Sequence, residues 1–244
     1  MEKDQYSNIA TRYDYMLIKN PEREAFFKDI FEKYNVKSVL DCACGTGKDL
    51  VLFNSLGIKV AGSDISESML NIAQKRINEN ELKIPLFKED YQFLENTFSE
   101  KFDAVVCLSN AINEPKTDVL KTFNSMKNVL NGNGIIIFDQ GQTDLMMENP
   151  PEYALEVNNN DFSRLFTMNY LEDIMTIKIF DLVHTDNENE LSVNTFKIKI
   201  RLYDEWIKIL EKANLNAEIY GNWDFELYNK KNSKRLIIVA RKHD

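Results

Sequence analysis

The segment from Lys37 to Asp64 constrains the fold of this chain more than any other part of the sequence. An apolar run ends in Asp41, a glycine-rich turn follows at Gly45–Gly47, and a second apolar run ends in Asp64. Glycine permits backbone angles and close approaches that other residues forbid, so this order of residues predicts a β-turn-α-β unit that binds a nucleoside. A carboxylate about 20 residues after the turn is placed to accept hydrogen bonds from both ribose hydroxyls.

The turn departs from the dinucleotide-binding pattern G-x-G-x-x-G. Leu50 stands where that pattern has its third glycine, and Asp41 at the end of the first strand would repel a pyrophosphate. A ligand with a ribose, no phosphate and a positive charge near Asp41 fits these residues better. S-adenosylmethionine is such a ligand, because it carries a sulfonium and an α-amino group. The missing glycine also counts against a nicotinamide-dependent oxidoreductase.

Three stretches resemble the motifs of class I S-adenosylmethionine-dependent methyltransferases: Ala-Cys-Gly-Thr-Gly at 43–47, Asp-Ile-Ser-Glu-Ser-Met-Leu at 64–70 and Phe-Asp-Ala-Val-Val-Cys-Leu-Ser-Asn at 102–110. Within that family the chain most resembles the glycine N-methyltransferase-like and sugar-amine N-methyltransferase-like enzymes. The resemblance implies a Rossmann-like α/β fold whose seven-stranded sheet has the order 3-2-1-4-5-7-6, with strand 7 antiparallel. It also implies methyl transfer from S-adenosylmethionine to a small-molecule acceptor, with nitrogen favoured over oxygen.

The resemblance implies a set of cofactor-binding residues. Met69 would pack against the adenine, Asp90 would bind its amino group, and Arg23 would bind the cofactor carboxylate. The complete set is Tyr13, Arg23, Asp41, Ala43, Gly45, Thr46, Gly47, Asp64, Ile65, Met69, Asp90, Tyr91 and Leu108. Each has a structural alternative: the aspartates could cap turns or helices, Met69 could be core, and the N-terminal tyrosines could simply pack against the first helix.

Substrate residues are expected where the fourth and fifth strands end and in the segment after them, because ligands of open α/β sheets bind at the carboxyl ends of parallel strands. The candidates are Asn110, Asn113, Gln140, Arg164, Arg201 and Tyr203. An arginine facing the crevice at these strand ends would bind a substrate carboxylate bidentately. The alternative is that Arg164 and Arg201 are surface residues, which arginines on such strands more often are.

Methyl transfer from a sulfonium releases a neutral thioether, so positioning can supply most of the rate acceleration and no leaving-group acid is needed. The catalytic candidates are therefore few: Asp139, Tyr203 and His184, the last with a surface position as its alternative. Because positioning leaves no obligatory catalytic residue, a non-catalytic module that binds S-adenosylmethionine stays an alternative function.

Composition limits the partners. The net charge of −9 argues against DNA as a partner and disfavours a tRNA, because nucleic-acid binders neutralise phosphates with a basic face. A protein acceptor is a further alternative. We expect the three cysteines to be small buried thiols, and we expect no bound metal. Without an apolar stretch long enough to span a bilayer, or a signal peptide, we expect a cytoplasmic protein with no membrane partner, as a monomer or homodimer.

The pattern along the chain predicts one domain over 1–244 with four parts. These are an N-terminal helical cap (1–36), a cofactor-binding core (37–140), a loop and antiparallel β meander that cover the substrate (141–202), and a C-terminal helix and hairpin (203–244). Within the third part, Pro150-Pro151 predicts a long loop over 140–160, and strand-like runs follow at 162–170, 173–184 and 190–201 with a turn at 186–189. A helix is predicted over 115–130, opened by Pro115 and closed by Asn131-Gly132.

Overall fold

The computed structural model describes residues 4–16, 20–184 and 190–242, which form two β-sheets and the helices that cover the larger one. The strands are β1 (Ser38–Asp41), β2 (Lys59–Asp64), β3 (Leu86–Lys88), β4 (Phe102–Cys107), β5 (Leu130–Gln140), β6 (Tyr153–Asn158), β7 (Phe162–Leu171), β8 (Ile174–Val183), β9 (Glu190–Lys199), β10 (Leu215–Tyr220) and β11 (Leu236–Lys242). The larger sheet has the order β10-β11-β5-β4-β1-β2-β3, and β11 runs antiparallel to its neighbours β5 and β10. The predicted order 3-2-1-4-5-7-6 is confirmed.

The helices begin where the sequence supplies caps. They are α1 (Pro21–Lys33), α2 (Lys48–Ser55), α3 (Glu67–Glu79), α4 (Val119–Asn128), α5 (Asp144–Glu148) and α6 (Tyr203–Lys212), with 3-10 turns at Ala10–Met16, Tyr91–Asn96 and Ala111–Asn113. Ser66 accepts a hydrogen bond from the Met69 N–H and so caps α3. The prediction that Pro115 opens α4 is wrong, because Asp118 caps that helix. Asn131 and Gly132 likewise lie inside β5 and do not end α4.

Apolar side chains cover both faces of the larger sheet, as the nearly continuous apolar strands predict. Alternate residues of β1 face opposite layers: Val39 belongs to the apolar cluster that contains Phe27 and Phe53, whereas Leu40 belongs to the cluster that contains Phe138 and Trp206. The three cysteines are free and buried, which confirms their prediction as small buried thiols.

The smaller sheet lies between β5 and α6 in sequence. This is where the loop and antiparallel meander over 141–202, called the insert below, are predicted. Its strands are antiparallel in the order β6-β7-β8-β9. The long loop predicted over 140–160 is wrong in part, because it contains α5 and β6, and Leu155 of β6 pairs with Leu165 of β7. The alternation of apolar and polar residues in Tyr153–Asn158 is short, and a register shift interrupts it. The sequence therefore did not indicate this strand. The turn predicted at 186–189 lies outside the described residues.

Residues 4–16 connect the two sheets. Asp4 accepts hydrogen bonds from the hydroxyls of Ser66 (2.9 Å) and Ser68 (2.5 Å) at the start of α3, while Arg12 donates to Asp181 of β8 at 3.0 Å. Asp14 accepts a hydrogen bond from the Thr46 hydroxyl at 2.5 Å in the glycine-rich turn. The segment therefore lies across the edge at which β1 and β2 end. None of the described helices is both long and apolar enough to cross a membrane.

Candidate active site

The glycine-rich turn after β1 is shaped by two left-handed residues. Gly45 has φ +52° and Gly47 has φ +74°, a region that residues with a Cβ rarely adopt. A Cβ on Gly47 would lie 2.9 Å from the Cβ of Ala73, so this glycine allows α3 to pack closely against the turn. A Cβ on Gly45 would instead meet nothing within 4 Å. The turn thus leaves open space above Gly45, which a ligand can fill.

Asp64, at the end of β2, is fixed by the backbone on both sides. One carboxylate oxygen accepts a hydrogen bond from the Gly45 N–H and the other from the Ser66 N–H, each at 2.8 Å. Each oxygen keeps a lone pair that can accept a hydroxyl. Burial raises the pKa of Asp64, although these hydrogen bonds oppose the rise. Ile65, the next residue, is 58 % exposed and gives the same edge an apolar surface.

Asp41, at the end of β1, is a buried carboxylate to which no cationic side chain of the described residues is directly bonded. Its side chain is 2 % exposed and accepts a hydrogen bond from the Ala43 N–H at 3.2 Å. Burial raises its pKa well above the ordinary value, and the negative charges of Asp49 and Asp64 raise it further. A cationic ligand at this position would lower the cost of the buried charge.

This cost predicts a stability effect of Asp41→Asn. The pKa of Asp41 is raised in the folded protein, so its ionisation destabilises the fold. This destabilisation is absent near pH 4, because an unfolded aspartate titrates at about 3.9, and it grows as the pH rises above that value. We expect Asp41→Asn to raise the free energy of unfolding of the ligand-free protein at pH 7 by about 1 kcal/mol or more, with the gain shrinking toward pH 4. Urea unfolding at several pH values measures this. The exposed Asp29 provides a control variant, Asp29→Asn, and a gain independent of pH would contradict the argument.

Arg23 is bonded to a different carboxylate, that of Asp49. It donates to both carboxylate oxygens of Asp49, at 2.6 and 2.7 Å, and its guanidinium carbon lies 5.3 Å from the ring centroid of Trp223. Its charge lowers the pKa of Asp41, which opposes the rise caused by burial. Direct binding of a cofactor carboxylate by Arg23 stays a prediction.

The predicted adenine residues lie along β2, α3 and the turn after β3. Met69 is buried, and Asp90 accepts a hydrogen bond from the Gln92 N–H at 2.9 Å, so it caps the 3-10 turn Tyr91–Asn96. The Tyr91 hydroxyl bonds to the Ala111 carbonyl (3.1 Å) and to Thr117 (2.5 Å). Asp90 therefore does cap a turn, as its structural alternative predicts. Contacts of Asp90, Met69 and Tyr91 with an adenine stay predictions.

The remaining predicted cofactor residues also lie at these strand ends. Thr46 is buried and donates to Asp14, while Ala43 is half-buried after β1. Leu108 is buried just after β4. Tyr13 is half-buried on the N-terminal segment, where burial first and then the charges of Asp64 and Asp14 raise its pKa to about 12.

The end of β4 holds two consecutive non-glycine residues with left-handed backbones, Ser109 (φ 59°) and Asn110 (φ 68°). Such strain persists where surrounding contacts impose it, often at functional sites. The Ser109 N–H donates to Asp139 at 2.7 Å, and the Asn110 side chain accepts from the Gly141 N–H at 2.9 Å. Arg235 donates to the other Asp139 oxygen at 2.6 Å. The Asp139 carboxylate therefore holds the backbone after β4 with one oxygen and pairs with the Arg235 guanidinium through the other.

Three predicted substrate residues meet in one buried network. The Gln140 carbonyl oxygen accepts hydrogen bonds from Asn113 (2.7 Å) and from the Trp206 indole (2.8 Å). The Gln140 amide donates to the backbone carbonyls of Gln142 (2.5 Å) and Arg201 (2.6 Å). Arg201 in turn donates to the Asn113 carbonyl oxygen at 2.9 Å. The network lies beyond the carboxyl ends of β4 and β5, where the crevice is predicted.

The other candidates lie elsewhere. Arg164 is fully buried and donates to both oxygens of Asp181, at 2.6 and 2.7 Å, so both the surface alternative and an open crevice position are wrong for it. The surface alternative is also wrong for Arg201, which is 5 % exposed. Tyr203 stacks on Tyr228 at 5.1 Å between ring centroids. His184, half-buried after β8, lies 3.3 Å from the Ser163 hydroxyl.

Sequence reasoning missed several residues around these groups. Asp4, Asp14 and Arg12 join the N-terminal segment to α3, the turn and the insert, and Trp206 completes the buried network. Their partners lie far away in sequence, for example 62 positions between Asp4 and Ser66. Helical spacing of apolar residues in α6 could have indicated that Trp206 faces inward.

Several proteins with similar sequences or folds are methyltransferases. Residues 39–134 match the family model described as a methyltransferase domain. The chain is 31 % identical over 164 residues to a putative methyltransferase, YqeM, of Bacillus subtilis, covering 66 % of this chain and 65 % of that protein. It is 28 % identical to a glycine/sarcosine N-methyltransferase of Parasynechococcus marenigrum, covering 60 % and 54 %. The chain thus spans between about half and two thirds of these relatives.

A solved S-adenosylmethionine-dependent methyltransferase from Clostridium acetobutylicum superposes with a TM-score of 0.84 at 19 % identity, covering 98 % of this chain and 99 % of the other. At that identity the likeness concerns the fold, which extends over both sheets. Residues 39–134 match the methyltransferase domain family, and the chain has the fold of the class I S-adenosylmethionine-dependent methyltransferases.

Proposed function

We propose that the protein transfers a methyl group from S-adenosylmethionine to a nitrogen of a small-molecule acceptor. One observation carries the proposal: both oxygens of Asp64 are fixed by backbone N–H groups, 2.8 Å away, next to the buried carboxylate of Asp41 and the open space above Gly45. Paired acidic groups at this edge favour a ribose and a cation and disfavour a pyrophosphate.

The residues fit the methyl donor group by group. Asp64 would accept the ribose hydroxyls, Asp41 would face the positive end, and Ile65 would contact the adenine with its exposed side chain. When bound, the donor supplies an electrophilic methyl group and a neutral thioether leaving group. The similarity to a glycine/sarcosine N-methyltransferase supports nitrogen as the acceptor atom.

The chain itself would contribute positioning and exclusion of water. The N-terminal segment lies over the strand ends, held by Asp4 on α3, Asp14 on the turn and Arg12 on the insert. The Asn113–Gln140–Arg201 network would orient the acceptor from the opposite side. Holding donor and acceptor at about 3–3.5 Å can supply most of the acceleration of such a transfer.

Calorimetric titration of the full chain with S-adenosylmethionine, S-adenosylhomocysteine and NADH tests the proposal, followed by transfer of labelled methyl groups into a metabolite pool and a tRNA and protein pool. We expect saturable binding of the first two ligands, none of NADH, and label in the metabolites. Failure to bind either adenosyl ligand would reject the function. Binding without turnover would instead indicate a non-catalytic module, and label confined to macromolecules a different acceptor class. Cytoplasmic location and a monomeric or homodimeric state stay predictions.

A further inference from the structure

Two buried arginines lie in the predicted insert (141–202), and they differ in how their charges are satisfied. Arg164 is 0 % exposed and makes three hydrogen bonds, two to Asp181 and one to the Arg12 carbonyl at 3.0 Å. Arg201 is 5 % exposed, yet among the described residues its guanidinium makes one hydrogen bond, to the neutral side chain of Asn113. A guanidinium has five N–H donors, so Arg201 keeps unused donors in a buried position.

Among the described residues, no anion accepts a hydrogen bond from Arg201. Its Nε lies 3.9 Å from the Glu205 carboxylate, too far for a hydrogen bond, and the Glu205 side chain is 46 % exposed. On its other side the guanidinium carbon lies 5.7 Å from the ring centroid of Trp206. Burial lowers the pKa of Arg201, and the charges of Glu205 and Asp173 offset this only in part. Buried charges are normally paired, so the protein without a ligand leaves this one incomplete.

A second incomplete group lies next to it. The side-chain carbonyl oxygen of Gln142 is buried and has no hydrogen-bond partner among the described residues, and Gln142 is 5 % exposed. The Gln140 amide donates to the backbone carbonyls of both Gln142 and Arg201, which holds the two residues together. A cation with unused donors and an acceptor without a partner thus belong to two residues whose backbones meet beyond β4 and β5. Together they match a ligand that carries both an anion and a hydrogen-bond donor.

We propose that Arg201 and Gln142 form an anchoring subsite for a carboxylate-bearing amine, so that the acceptor belongs to the amino-acid class and is not a neutral amino sugar. This inference rests on the proposed function, because it assigns the acceptor of that same reaction. The planar guanidinium matches a carboxylate, and Gln142 would accept an N–H of the acceptor.

Paired probes test the subsite on the full chain loaded with S-adenosylhomocysteine. Ligand-observed NMR would compare glycine with glycinamide, β-alanine with β-alaninamide, and 4-aminobutyrate with its amide, for wild type and Arg201→Gln. We expect wild type to prefer the acid of at least one pair by about tenfold or more, as a charge-assisted bidentate contact would give, and Arg201→Gln to lose the preference. Arg241→Gln, which removes an exposed arginine of β11, should keep it.

Equal affinity for acids and amides in wild type, or a preference that survives Arg201→Gln, would overturn the inference. Thermal unfolding shows whether the variant folds; if it does not, competition by sodium acetate but not acetamide for the amino-acid probe in wild type decides the matter. The titrations with S-adenosylhomocysteine report separately on the proposed function. A protein that binds this ligand without preferring acids keeps that function and loses the subsite.

Discussion

Replacing Asp64 with alanine is expected to abolish saturable binding of S-adenosylmethionine in calorimetry. The carboxylate oxygens of Asp64 are already oriented by the Gly45 and Ser66 N–H groups, so the wild-type site accepts the ribose without rearrangement. Two hydrogen bonds to a charged group contribute about 1.5–3 kcal/mol each, which corresponds to a loss of affinity of about 10²–10⁴-fold. The variant also leaves two backbone N–H groups without an acceptor, which adds to the loss.

Asp118→Ala is the matched control, because Asp118 also accepts a backbone N–H, that of Lys121 at 3.1 Å, but does so at the exposed start of α4. It should lose about 1 kcal/mol of stability through the missing cap and keep its affinity for the methyl donor. Unchanged affinity in Asp64→Ala, with circular dichroism showing a folded protein, would remove Asp64 from the site. Equal losses of affinity in both variants would attribute the effect to general destabilisation.

Asp181→Ala is expected to give the largest loss of stability. It leaves Arg164, which is 0 % exposed, without the carboxylate that receives two of its three hydrogen bonds. Breaking a buried pair by removing one partner costs about 3–5 kcal/mol, because an uncompensated charge stays inside the protein. Urea unfolding at neutral pH measures the change as a lower midpoint.

The double variant Arg164→Met with Asp181→Ala should recover much of that loss, since a buried ion pair can often be replaced by apolar side chains. Although burial would raise the pKa of Asp181, its hydrogen bonds to Arg164 and Arg12 lower it below the ordinary value. The pair therefore stabilises the fold above about pH 4, and this contribution is lost as the pH falls through the lowered pKa. A double variant no more stable than Asp181→Ala would show that the buried arginine is not the cause.

The fold of the nucleotide-binding half could be predicted because its signals are local. Gly45, Gly47 and the strand-end residues Asp41 and Asp64 lie within one β-turn-α-β unit, and each performs a role set by its immediate neighbours. The insert was harder. The Pro150-Pro151 pair concealed β6, which is stabilised by pairing with β7 more than by its own alternation.

The residues of the candidate site likewise differ in whether the sequence could predict them. Asp41 and Asp64 could be identified from the motif, whereas the environment of the two arginines could not. Arg164 and Arg201 both lie in a strand-rich segment. Asp181 on the neighbouring strand forms an ion pair with Arg164, whereas Arg201 donates a hydrogen bond to Asn113, 88 positions away. A single sequence does not show which side chain across a sheet faces a given arginine, and that pairing separates a structural residue from a ligand-binding one.

The antiparallel position of β11 has a consequence for synthesis on the ribosome. β11 lies between β5 and β10, and β10 contacts the large sheet only through it. Residues 130–140 therefore expose an unpaired edge until residues 236–242 have emerged, about a hundred residues later. The nascent nucleotide-binding half must stay in an incomplete, aggregation-prone state for that interval, so we infer that its maturation follows, and does not precede, formation of the insert.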